Sequence, residues 1–200
     1  MKQRFESLSQ GMREHIRSAV IAFVALIAVG YVLTLLRPES TQALTSLFTT
    51  TTISSGAVEA TSSELFVLLF FNNLVAALTA ILCGFVPFLH LPAFSLGLNS
   101  VLLGAFGAFY QKSGPGLLAY LAGTIPHGVT EIFSLAMACG AGLHLCRTVT
   151  DRLTGRQKEP TVSQAWRECA QVYLRYVVPL LLFSAAVEAF ITPLILNLFL

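Results

Sequence analysis

Long apolar runs broken by short polar stretches set the pattern of this chain, and most runs have the length of a membrane crossing, which takes about 20 apolar residues. The first run, 18–36, is bracketed by Arg17 and Arg37 and stopped by Pro38. It exceeds the apolar core of a signal peptide and no A-x-A-like site follows it, so it reads as a retained anchor. The second run covers 65–88 and the third 92–110. After the turn Ser113-Gly114-Pro115-Gly116, the segment Leu117 to Ile125 is apolar but only nine residues long. That is too short to cross and predicts an interfacial or re-entrant piece. The fourth run, 126–146, then begins with Pro126, at a position where a missing N–H is harmless. The fifth, 172–199, carries Pro179 and Pro193 as expected kinks. The pattern predicts an all-α membrane protein with about five transmembrane helices in a single integral membrane domain over 1–200.

Composition agrees and narrows the choice. Of 200 residues, 55% are hydrophobic and 11% charged, against about 25% charged in soluble domains. A soluble enzyme, a disordered chain and a collagen-like chain are excluded. Charge placement predicts orientation. With the N-terminus inside, Lys2, Arg4, Arg13, Arg17, Arg147, Arg152, Arg156, Lys158, Arg167 and Arg175 lie inside, and Arg37 and Lys112 outside. The loop at 147–171 is then inner and basic, the C-terminus is outside, and a multi-pass protein of the inner (cytoplasmic) membrane is expected. The outer loop, 38–64, is Ser/Thr-rich, with Leu44, Leu47, Phe48 and Ile53 spaced for a short surface helix. At the inner side, Phe5, Leu8, Met12 and Ile16 recur at helical spacing among basic residues, as in a helix lying on the leaflet or an ordinary basic flank. Thr161 and Gln164 resemble a capping box, with Trp166 at an interfacial position. Cys83, Cys139, Cys146 and Cys169 form no CxxC pair and read as small apolar residues.

Polar residues inside the spans carry the candidate chemistry, because a carboxylate at a helix centre costs about 2.5–3.5 kcal/mol and needs a partner. Pro126-His127-Gly128-Val129-Thr130-Glu131 is the densest cluster. His127 and Glu131 share a helix face, which predicts a hydrogen bond between them. Gly128 on that face suits a close backbone approach. Three uses fit the pair: packing, ion or proton binding, and catalysis. No metal site is expected, since two donors fall short of the three protein ligands that zinc takes. Asn72 and Asn73 point about 100° apart and, with Asn99, suit interhelical hydrogen bonds. Asn99 lies among Gly97, Gly104 and Gly107, and Gly140 and Gly142 repeat the small-residue theme in the fourth span. Glu188 lies about 24 Å along the fifth span, so a shared polar pocket of Asn72, Asn73, His127, Glu131 and Glu188 is geometrically open. HExxH, GxSxG, Walker and GxGxxG motifs are absent. No cofactor and no nucleic-acid partner is expected.

Phe71-Asn72-Asn73, Asn99 with Gly104, Pro126-His127-Gly128-Val129-Thr130-Glu131 and Ala141-Gly142-Leu143 together resemble the stage II sporulation protein M family of integral membrane proteins. The likeness is best over Leu65 to Leu145. One departure is Ser100, where the family often has Gly. The resemblance implies a membrane scaffold that recruits peptidoglycan-degrading partners. The expected function is thus a non-enzymatic scaffold in cell-envelope remodelling, with membrane lipid and envelope proteins as partners. The alternatives are an ion or small-solute translocator using the His-Glu-Asn residues, and an intramembrane hydrolase.

Overall fold

The computed structural model describes residues 8–37, 46, 61–113, 116–156 and 160–196, and these are helical almost throughout. Helices α1 (Gln10–Leu36), α2 (Ser62–Leu82, closed by a 3-10 turn at Cys83–Phe85), α3 (Leu91–Ser113) and α4 (Gly116–Leu153) come first. A fifth rod follows in pieces: α5 (Val162–Val172), α6 (Val178–Ala186) and α7 (Thr192–Leu196), joined by π turns at Tyr173–Val177 and Val187–Ile191. Five units are long and apolar enough to cross a bilayer: Gln10–Leu36, Ser62–Phe85, Leu91–Lys112, Gly116–Leu153 and Val162–Ile195. The chain is therefore a helical membrane protein with five candidate spans. The surface helix expected around Leu44, Leu47, Phe48 and Ile53 lies outside the described residues.

Side-chain caps set several helix starts. Ser9 accepts from the Met12 N–H at α1. Thr61 and Glu64 form a capping box at α2, and Thr161 and Gln164 form the expected one at α5. Trp166 packs against Phe85 with ring centroids 5.3 Å apart.

The fourth helix is the centre of the bundle, with 61% of its apolar window buried against 17% for Ser62–Phe85. Its small residues let backbones close in, as small faces do in membranes. A Cβ on Gly140 would fall 2.6 Å from Ile16 Cα in α1, and one on Gly142 would overlap the Ala80 carbonyl of α2. On α3, a Cβ at Gly104 would overlap the Ile27 carbonyl of α1.

Two expectations change. Leu117–Ile125 is not a separate re-entrant piece; it forms the first turns of α4, and Pro126 lies inside that 38-residue helix. A proline removes one backbone hydrogen bond and crowds the preceding turn, but here the segment is held on α3, where the Tyr120 hydroxyl donates to the Leu103 carbonyl at 2.7 Å. At 1.5 Å per residue α4 is about 57 Å long, nearly twice the hydrocarbon core. Likewise, Leu8, Met12 and Ile16 do not lie on a leaflet. They are buried in one cluster with Ala138, Ala141 and Leu145 of α4 and Cys169 of α5; Phe5 is outside the described residues. The prolines of the fifth rod follow its wide turns. The Val178 N–H bonds the Tyr173 carbonyl and the Thr192 N–H the Val187 carbonyl, each five residues back. Widening the turn makes room for the rings of Pro179 and Pro193.

Candidate functional site

A cavity of about 310 Å³ lies among α2, α3, α4 and the fifth rod. Helix α2 contributes Asn72 and Asn73, α3 contributes Asn99, α4 contributes His127, Gly128 and Glu131, and the second π turn contributes Glu188. All seven polar or small positions singled out in the sequence thus border one space. Its side walls, α2 and α3, touch each other little. Asn72 and Asn99 are exposed on these two walls, while Asn73 is half-buried.

The partners differ in detail from the expectation. His127 does not bond Glu131. Its Nδ1 lies 3.2 Å from Thr192 Oγ1, and because the Thr192 hydroxyl donates to the Val187 carbonyl at 3.3 Å, the network assigns the ring proton to Nδ1. The other ring nitrogen, Nε2, faces Glu188 Oε2 at 3.8 Å. The side chain of Asn73 on α2 is instead the polar neighbour of Glu131. The reason lies in the fifth rod: its π turn brings Glu188 and Thr192 together against the imidazole, and neither neighbour is legible from the spacing within α4. The His127 carbonyl is also tied down, accepting from Thr130 Oγ1 at 2.8 Å and from Ser184 Oγ of α6 at 3.0 Å. Gly128 does not serve a helix crossing. A Cβ there would meet the Thr124 methyl at 3.1 Å, and no neighbouring backbone is close. Its missing side chain leaves room in the cavity. Asn99 Nδ2 donates within its own helix to the Ser95 carbonyl at 2.9 Å.

The charge balance is uneven. His127, Glu131 and Glu188 each offer a ligand atom, and these atoms lie within 4.8 Å of one another. No Lys or Arg borders the cavity among the described residues. The spacing within α4 offers two donors, and Glu188, expected in the same pocket, supplies a third.

A second polar cluster sits far along α4, where His144 lies 17 residues, or about 25 Å, from His127. Ser9 Oγ donates to Glu168 Oε2 at 2.6 Å, His144 Nε2 lies 3.7 Å from the same oxygen, and the His15 ring meets the His144 ring edge-on at 5.5 Å. Sequence reasoning missed this group because its members come from three separate helices, with no local motif to join them.

The sequence model described as Stage II sporulation protein M matches residues 19–193, a stretch that holds every residue of the cavity. No curated protein and no solved structure matches the chain. The Asn-Asn pair, the Pro-His-Gly-x-x-Glu element and the five-span architecture thus stand inside one match over most of the sequence, and the chain belongs to the stage II sporulation protein M family.

Proposed function

We propose that this protein is a non-enzymatic assembly protein of the cytoplasmic membrane that works by holding envelope partners, in the remodelling of the cell wall. The N-terminus is inside and the C-terminus outside, following the ten-to-two split of basic residues. The observation that carries this reading is the loosely closed side of the bundle. Asn72 holds an amide exposed on the wall of α2, and Asn99, which spends one N–H on the Ser95 carbonyl, holds the rest of its amide exposed on the facing wall of α3; a polar group left unpaired in hydrocarbon costs a few kcal/mol. A transmembrane helix of a partner, entering between α2 and α3 with a polar side chain of its own, satisfies both. Family membership supports it, since the family is named for a stage of sporulation.

The test is a mild-detergent pull-down of the tagged protein from native membranes, beside an Asn72→Leu/Asn99→Leu variant. Wild type is expected to enrich cell-wall hydrolases or other envelope proteins, and the variant to lose them at unchanged protein level. A wild-type protein that is monodisperse and brings down no envelope protein overturns the reading. One observation favours a second reading, translocation of an ion or small solute: His127, Glu131 and Glu188 converge on the cavity. Flux into liposomes by the purified protein, lost in Glu131→Gln, would replace the assembly role with this one.

A further inference from the structure

We propose that the cavity binds one divalent transition-metal ion through His127 Nε2 and one carboxylate oxygen each of Glu131 and Glu188. Geometry is the first argument. Zinc-type ions hold nitrogen and oxygen ligands at about 2.0–2.2 Å, which places tetrahedral donors about 3.4 Å apart. Here Nε2 and the Glu188 oxygen are 3.8 Å apart, and all three ligand atoms fall within 4.8 Å of one another. Modest rotations of the two carboxylates close the set. A fourth position then faces the cavity and the amides of Asn72 and Asn99.

The second argument is the imidazole's own hydrogen bond. A metal-bound histidine commonly donates its other ring N–H to an acceptor that fixes the tautomer and the ring plane. His127 does this through Nδ1–H to Thr192, whose hydroxyl proton is committed to the Val187 carbonyl. The lone pair of Nε2 is therefore aimed at a carboxylate. A metal ion between these two electron-rich atoms would turn their repulsion into coordination, as a proton on the carboxyl would turn it into a hydrogen bond.

Charge is the third. When both carboxyls are ionised beside a neutral imidazole they carry −2, which one divalent ion cancels, and the cavity lining has no Lys or Arg to do so among the described residues. A nitrogen donor beside two oxygens favours zinc, manganese, iron or cobalt over calcium or magnesium. The ion would tie α4 to the second π turn. Nothing in this depends on partner binding, so a failed pull-down leaves the proposal standing.

The experiment uses the full chain in detergent, stripped with chelator, loaded with Zn²⁺, desalted and assayed for metal, with Co²⁺ absorption as the spectroscopic check. Wild type and a Glu168→Gln control, which alters the other His–Glu pair, are expected to retain about one ion per chain. His127→Ala and Glu188→Gln are expected to lose it. Thr192→Val keeps all three ligands but frees the ring, and should weaken binding about 10-fold or more. Wild type retaining no more ion than Glu188→Gln overturns the proposal and leaves the site a proton-holding one. If the ligand variants aggregate, Thr192→Val decides, and unchanged affinity there overturns the proposal too.

Discussion

The crossing of α1 and α3 gives a quantitative test of how this bundle holds together. A methyl added at Gly104 would fall 2.7 Å from the Tyr31 nitrogen and closer still to the Ile27 carbonyl, whereas ordinary contact begins at 3.4 Å. One at Gly30, on the other side of the same crossing, would lie 2.8 Å from Val101 Cα. Both neighbours are backbone, so no side chain can swing away, and the helices must part by well over about 0.7 Å, because the Ile27 carbonyl contact is tighter than the one to the Tyr31 nitrogen. Overpacking of this kind costs about 1–3 kcal/mol, partly offset by the gain of about 1 kcal/mol when alanine replaces a helical glycine. Gly104→Ala should therefore lose up to about 2 kcal/mol. Gly97→Ala, whose methyl would meet only Leu26 Cδ1 at 3.9 Å, should be neutral or slightly stabilising. Once the helices have moved apart for one methyl, the second costs less, so Gly30→Ala/Gly104→Ala should fall short of the sum of the singles. Reversible SDS unfolding in mixed micelles reads all four variants. Equal stability of Gly104→Ala and Gly97→Ala, or strict additivity in the double variant, refutes the shared close crossing.

Three further outcomes are expected. Phe88 is 58% exposed, and both it and His90 have positive φ in the turn between α2 and α3; left-handed backbone costs a non-glycine residue about 1–2 kcal/mol. Phe88→Gly should raise the thermal midpoint in detergent, and a fall of several degrees contradicts this. Of the four cysteines, Cys139, Cys146 and Cys169 are buried and Cys83 is half-buried, so a maleimide should label one thiol in the folded protein and four after denaturation, as read by intact mass. Thr161→Ala removes the cap of α5 and should cost about 1 kcal/mol, measured by the same SDS titration; no change would mean the cap is not what starts that helix.

The number and type of helices were legible because long apolar runs admit little else in lipid. What covers each face was not. Leu8, Met12 and Ile16 carry the helical spacing of a leaflet-bound stripe, and the same spacing serves a buried helix; only the packing against α4 and α5 decides. Pro126 looked like a helix start because its local penalty is visible in sequence, while the contact that offsets it, Tyr120 on the Leu103 carbonyl, is between helices. The polar cavity was legible as a set of residues whose polarity has no place in lipid, and the structure brings those residues together. Their pairing was not legible. Spacing of four suggested His127 with Glu131, but the hydrogen bonds and the facing carboxylate come from Thr192 and Glu188, which a wide turn of another helix delivers.

Those wide turns also govern how the fifth rod tolerates changes of length. A π turn holds one residue more than an α turn needs. Deleting one residue within Tyr173–Val177 closes the loop of backbone into an ordinary turn and leaves everything beyond it facing as before. The same deletion in α4 between Glu131 and His144 has no wide turn to draw on, and it swings His144 about 100° around the axis relative to His127. One deleted residue thus has opposite consequences in the two helices, set by whether the helix stores a spare residue.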